Sequence, residues 1–136
     1  MLEPILVGAV LGAMFAIVAR RLGGGGELRV FGLGLVVAAL IYVGLALPSR
    51  EGRWLGLESA GLAIFGSLAW LGLRRPGVLA LGWMAHAAWD VGLHLDRAQS
   101  VVGPWYPLTC IGFDLVVAGF LVAGTGPSAR SRARAT

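Results

Sequence analysis

Residues 78–95 read VLALGWMAHAAWDVGLHL, and the fold turns on how that stretch is taken. Arg74-Arg75-Pro76 separate it from the apolar run before it. It is long enough and apolar enough for a helix to cross a bilayer, which takes about 20 residues (range about 17–25). Yet it holds His86, Asp90 and His94, one helical turn apart and drifting by about 40° per step, so that all three fall within an arc of about 80°. A membrane helix with one ionisable face needs partners for that face, and the rest of the chain supplies them.

Four more apolar runs flank it, at about 4–19, 28–47, 54–73 and 105–123. Apolar residues make up 57% of the 136 and charged residues 13%; mean hydropathy is +0.81. A soluble domain is about 45–50% apolar and about a quarter charged. One soluble core of this size cannot hide so much apolar surface, so the bilayer must be part of the solvent. The expected fold is all-α, a polytopic membrane bundle of five transmembrane helices in one unit, residues 1–124. A disordered basic cytoplasmic tail follows at 125–136, rich in Gly, Ser and Arg. The first run has Glu3 before it and Arg20-Arg21 after it, the reverse of a cleaved signal peptide. The glycines at 23–26 are expected to form a flexible connection.

All basic residues are Arg, and they sit at the ends of runs or in the tail. The net charge of +4 therefore reads as topology signal and not as a nucleic-acid face. With the N-terminus outside, the cytoplasmic segments hold Arg20, Arg21, Arg29, Arg74, Arg75, Arg130, Arg132 and Arg134, and the outer loops only Arg50, Arg53 and Arg97. That bias fixes the expectation as N-out/C-in. It places Trp54 and Trp105-Tyr106 in an outer aromatic belt and Trp70 in an inner one. Heavy Ala, Gly, Leu, Val and Arg usage without Lys hints at a GC-rich bacterium, hence at a multi-pass protein of the bacterial cytoplasmic (inner) membrane. Gly8 and Gly12 form a GxxxG pair suited to close helix contact. The single Cys110 excludes an internal disulfide.

Ionisable groups inside a span cost about 2.5–3.5 kcal/mol each on the insertion scale, so they seldom persist without a role. Besides the three in 78–95, Glu58 lies in the third run and Asp114 in the fifth; Glu3 starts the first. In the N-out orientation Glu58 sits about 6 Å below the outer interface, Asp90 about 8 Å, Asp114 about 13 Å and His86 about 14 Å. Groups from three helices thus converge on one depth band. His86 and His94 are about 12 Å apart along the axis, so one ion cannot take both. A metal site of His86, Asp90 and Asp114 is expected, for a divalent ion with zinc favoured. Glu58 or His94 would be the catalytic proton carrier. The plain alternative is that such groups only hydrogen-bond neighbouring helices or snorkel to the interface; it is favoured for Glu3 and His94. Tyr42 is in position to donate into the cluster, although packing alone would account for it, and Cys110 reads as a small buried apolar residue.

The stretch from Gly82 through His86, Trp89 and Asp90 to His94, and then Trp105-Tyr106-Pro107 with Cys110, Phe113 and Asp114, resembles an uncharacterised family of small bacterial multi-span membrane proteins. That family carries an HxxWDxxxH span followed by a WYPxxCxxxD span. The likeness extends to Ile41-Tyr42-Val43-Gly44 and Glu58, and it implies a site without implying a reaction. A fainter similarity runs to membrane-embedded hydrolases that hold zinc with His and Asp from several helices.

Three functions follow from the residues. The first is a metal-dependent membrane enzyme acting on a small or lipid-like ligand reached from the outer side. The second is a proton- or cation-coupled transporter carried by Asp90 and Asp114, although the inner halves of the spans lack ionisable groups. The third is a non-catalytic or accessory subunit. The bilayer is the partner in all three, nucleic acid in none, and a homo-oligomer is compatible with each.

Overall fold

The computed structural model describes residues 2–49, 52–95 and 102–124. They form five α-helices: α1 (Leu2–Arg21), α2 (Gly24–Ala46), α3 (Gly52–Gly72), α4 (Pro76–Asp90) and α5 (Trp105–Gly124). A 3₁₀ turn, Leu47–Ser49, ends α2, and a π-helical segment, Val91–Leu95, continues α4. The expected tail at 125–136, and the outer-loop Arg50 and Arg97, lie outside the described residues.

Four of the helices, α1, α2, α3 and α5, are long and apolar enough to cross a membrane. The α4 segment is 15 residues, but its π continuation adds 5 without a break. Local chemistry explains most of the ends. Pro76 opens α4 in its first turn, where its missing N–H costs nothing. Pro48 falls in the 3₁₀ turn that closes α2, and the Ser49 hydroxyl donates to the Ala46 carbonyl at 2.7 Å, satisfying one of the orphan acceptors at a helix end.

The expected flexible glycine connection is a correction. Gly24, Gly25 and Gly26 are already helical, and only Gly23 turns, at φ 60° and ψ 163°. That region of backbone space is essentially reserved for glycine. Arg20 lies 3.6 Å from Glu27 across the turn, and Glu27 in the first turn of α2 meets the positive end of the helix dipole. These fix the connection without side chains from the glycines.

Around the bundle, α5 packs between α1 and α4, α3 follows α4, and α2 pairs with α3 while touching α1 and α4 lightly. The α1–α5 pair is backbone on backbone. A Cβ on Gly8 would collide with the Thr109 carbonyl, one on Gly12 would come within 2.7 Å of the Phe113 oxygen, and one on Gly112 would strike the Ile5 carbonyl. The GxxxG pair of α1 therefore meets a glycine of α5, and the helices run parallel. At their far ends the Arg20 guanidinium donates to the Phe120 carbonyl at 3.0 Å and lies over the Phe120 ring, a cation at the negative end of α5.

The core holds Phe31, Leu35, Phe65, Leu79, Trp83 and Val117 with small residues such as Ala16, Ala19 and Ala118. The polarity of the surface is inverted. Leu6, Val10, Met14, Val18, Leu33 and Leu81 are among the exposed large apolar side chains, while Glu58, His86, Asp90, His94 and Asp114 are each at most 2% exposed. A chain with water all round it does not present apolar area on that scale; hydrocarbon is the solvent that this surface fits.

Candidate functional site

Five buried ionisable side chains, on α3, on α4 with its π continuation and on α5, form two acid–imidazole pairs with Asp90 beside one of them. In the inner pair His86 Nδ1 lies 2.8 Å from Asp114 Oδ2, joining α4 to α5 at matched depth. Asp90, one turn along α4 from His86, brings Oδ2 to 3.9 Å from the same nitrogen. The three residues can each offer a ligand atom such that all lie within 4.8 Å of one another. In the outer pair His94 Nε2 lies 3.2 Å from Glu58 Oε1, joining the π segment to α3. The indole N–H of Trp89 points to the other Glu58 oxygen at 3.4 Å, a long and weak contact. Gly61 makes room for that indole, since a Cβ there would lie 3.1 Å from it.

The π segment explains how one helix serves both pairs. In a regular α-helix each i+4 step rotates the side chain forward by about 40°. An i→i+5 pattern widens the turn, so the step from Asp90 to His94 loses that forward drift, and His94 stays buried beside α3. π segments of this kind are frequent at functional sites.

Tyr42 of α2 separates the pairs. Its ring stacks on His94 (centroids 4.5 Å apart, 15° between planes) and approaches His86 at 5.9 Å. Its hydroxyl and the Asp90 carboxylate face one another without the full geometry of a hydrogen bond. Neither Asp90 oxygen has a hydrogen-bond partner among the described residues, and His86 Nε2 has none either. Buried carboxylate oxygens without partners are rare and costly, so this corner of the site is built to receive something.

The donor set fits a divalent cation. One imidazole and two carboxylates, all buried, are oxygen and nitrogen ligands of the type zinc takes. Two carboxylates at −1 each balance one ion at +2, which a buried site needs. Spacings of 2.8 and 3.9 Å about Nδ1 bracket the separation between ligands of a four-coordinate ion, about 3.3 Å for bonds of about 2.0 Å.

The expected site residues divide accordingly. His86, Asp90 and Asp114 come together; Glu58 and His94 also come together, but as a separate pair on the other side of Tyr42. Glu3 is exposed at the start of α1. Cys110 is half-buried on α5, one turn before Asp114. Trp54 departs from its expected place in the outer belt. It is 1% exposed and stacks on His94 at 5.8 Å, with Arg53 over its ring at 5.6 Å. Trp70 and Trp105, at 75% and 64% exposure, do lie on the outer surface of the bundle. Tyr42 and Trp54 join the site unannounced by the sequence, because an aromatic residue among apolar ones carries no sign of which way it faces. Tyr42 had one such sign, a hydroxyl placed at the depth of the carboxylates.

Residues 2–128 match a family of unknown function, DUF6010. The chain belongs to that family. No curated protein and no solved structure matches it.

Proposed function

We propose that the protein is a five-span membrane protein, N-terminus outside and C-terminus in the cytoplasm, that binds a divalent cation at His86, Asp90 and Asp114. The fifth span in this reading is α4 with its π continuation, 20 residues over Pro76–Leu95. At about 1.5 Å per residue that is about 30 Å, the thickness of a bilayer core. The Arg distribution supports the orientation, and the bacterial cytoplasmic membrane is the location that composition favours.

The observation that carries the cation reading is the pair of buried Asp90 oxygens without hydrogen bonds, beside an Nδ1–carboxylate contact that a metal could replace. Zinc is the ion proposed, on the strength of a mixed nitrogen and oxygen donor set. When bound, such an ion activates water and polarises a carbonyl or phosphoryl oxygen. The chain's own part is then to hold the three ligands in a dry site and to move a proton. Glu58 and His94 are the acid–base pair for that step, on the outer side of the cluster. The function proposed is metal-dependent chemistry on a lipid-like molecule reached from the outer half of the membrane.

Metal content settles the first half. Protein purified in mild detergent without a metal-affinity tag is expected to carry about one divalent ion per chain by elemental mass spectrometry. His86→Ala and Asp90→Asn are each expected to lose it. Folded wild-type protein that holds no metal, and takes none up when zinc, iron or manganese is added back, would overturn the reading. A second reading rests on the 2.8 Å His86–Asp114 contact, which is a complete hydrogen bond in its own right and would serve a proton carrier. It predicts flux across proteoliposome membranes under a pH gradient, with no dependence on metal.

A further inference from the structure

Between α2 and α5 the bundle has a gap. The two helices do not pack closely; each turns its main contacts elsewhere, α2 to α3 and α5 to α1 and α4. The gap is a cleft of about 280 Å³. Its walls include Val37, Ala38 and Ile41 of α2 and Thr109 and Phe113 of α5, with Phe15 of α1 beside them. Val37 and Ile41, at 45% and 43% exposure, are on the outward face, so the cleft opens sideways, toward whatever surrounds the bundle. In the membrane reading that is hydrocarbon.

Two features separate this cleft from an ordinary groove between helices. Asp114, a member of the inner pair, is among its lining residues, so the cleft leads to the candidate site. Trp83 lines it too, at 1% exposure, and its indole N–H has no acceptor among the described residues. The Cζ2 atom of that ring, next to the N–H edge, would lie 3.3 Å from a Cβ on Gly34 of α2. A Cβ there would also lie 2.8 Å from Phe15 Cζ, so glycine at this position lets Phe15 and the indole close against α2 at the wall of the cleft. A buried donor without an acceptor is destabilising, and an oxygen delivered through the cleft would pair it.

We propose that the cleft is a lateral portal for a single-chain lipid with an uncharged, oxygen-bearing end group, the end group meeting the Trp83 N–H beside Asp114. The chemistry sets each part of that description. The walls are apolar and the surroundings are hydrocarbon, so the body of the ligand is a hydrocarbon chain. The volume is at the lower edge of small-molecule pockets, about 300–1,000 Å³, which suits one chain and not a bulky ring. Asp114 lies about 13 Å below the outer interface. A charged head group at that depth carries a desolvation penalty that a hydroxyl or carbonyl largely avoids. A phospholipid is therefore excluded, and a fatty alcohol or a neutral acyl lipid is favoured. The proposal rests on the membrane reading of the bundle and supplies the ligand class for its site.

A photoreactive (diazirine-bearing) hexadecanol and a diazirine-bearing phosphatidylcholine, each in lipid nanodiscs with the full chain, test it. The expected result is labelling by the alcohol concentrated on residues 34–41 and 106–114, at least several-fold above labelling by the phospholipid. Ala38→Trp, which fills the cleft, is expected to abolish the excess while metal content stays at the wild-type level. Trp83→Phe, which removes the donor together with the five-membered half of the indole and keeps an aromatic face, is expected to lower the alcohol's preference several-fold and serves if Ala38→Trp does not fold. Labelling spread evenly over outward residues such as Leu11 and Leu81, or equal labelling by both probes, would overturn the portal. Metal content is measured on the same samples. Metal without focused labelling removes the portal alone, and focused labelling without metal removes the cation reading alone.

Discussion

Asp90 and Asp114 are the same residue type at nearly the same burial, and the structure gives them opposite situations. Asp114 accepts from or shares a proton with His86 at 2.8 Å, whereas neither Asp90 oxygen is hydrogen-bonded among the described residues. In protein stripped of metal, losing a partner from a buried pair costs about 3–5 kcal/mol. Asp114→Ala should therefore lower the melting temperature in detergent clearly. Asp90→Asn in the same stripped protein should leave it unchanged or raise it, because a buried carboxylate without a hydrogen bond gives way to a neutral amide. With metal present the order changes, and both substitutions should lose the stabilisation that the ion adds. Equal destabilisation of the stripped protein by both variants would show that Asp90 has a partner of its own. Trp89→Phe removes a 3.4 Å contact to Glu58, worth less than about 1 kcal/mol, and the indole packing against Gly61 and Phe65, so most of its cost should come from the lost packing. At this scale the sequence was legible for the charged residues, since each is conspicuous in an apolar span. It was illegible for Tyr42 and Trp54, whose contacts with His94 depend on which face of the helix they occupy.

The helices differ in what holds them in place. α1 meets α5 through glycines, and the side chains that the glycines lack would occupy the same space as the backbone carbonyls of Thr109 and Phe113. Such contacts rely on close van der Waals approach where no hydrophobic force acts between helices. Gly12→Leu should push α1 off α5 and cost at least about 1–3 kcal/mol, with α1 becoming accessible to protease in detergent before the rest of the bundle melts. Unchanged stability and protease resistance would mean that α1 is not held by this face. The α1–α2 turn depends on Gly23 in a glycine-only conformation, so Gly23→Ala should cost about 1–3 kcal/mol, while Gly25→Ala, inside α2, should stabilise slightly. The run lengths in the sequence foretold these helices to within a few residues, because apolar length is what a bilayer selects. They did not foretell that three consecutive glycines would be helical. Glycine's low propensity is a local term, and it is outweighed here by the fixed positions of the helices on either side.

For the molecule as a whole, the depth of each ionisable residue was the sequence's most useful product. Counting residues from the span ends put His86 and Asp114 about 1 Å apart in depth, and the two are hydrogen-bonded. What counting could not supply was the order of helices around the bundle, which decides that α2 and α5 leave a gap and that Glu58 pairs with His94 instead of joining the inner cluster. The proposed orientation has its own test. In a Cys110→Ala background, S49C should react with a membrane-impermeant maleimide applied to intact cells, and L73C only after permeabilisation. The reverse pattern would invert the bundle and place the acid–imidazole pairs in the cytoplasmic half.

The π segment at Val91–Leu95 carries one residue of slack. Converting its i→i+5 bonds to i→i+4 would swing His94 off Glu58 while the preceding turns, with His86 and Asp90, stay where they are. The inner pair therefore sits on regular α-helix and the outer pair on a wider-turned thread, like a vernier beside a fixed scale. Deleting Gly92 would set that thread permanently to the other position, leaving the His86, Asp90 and Asp114 cluster intact beside a Glu58–His94 pair pulled apart.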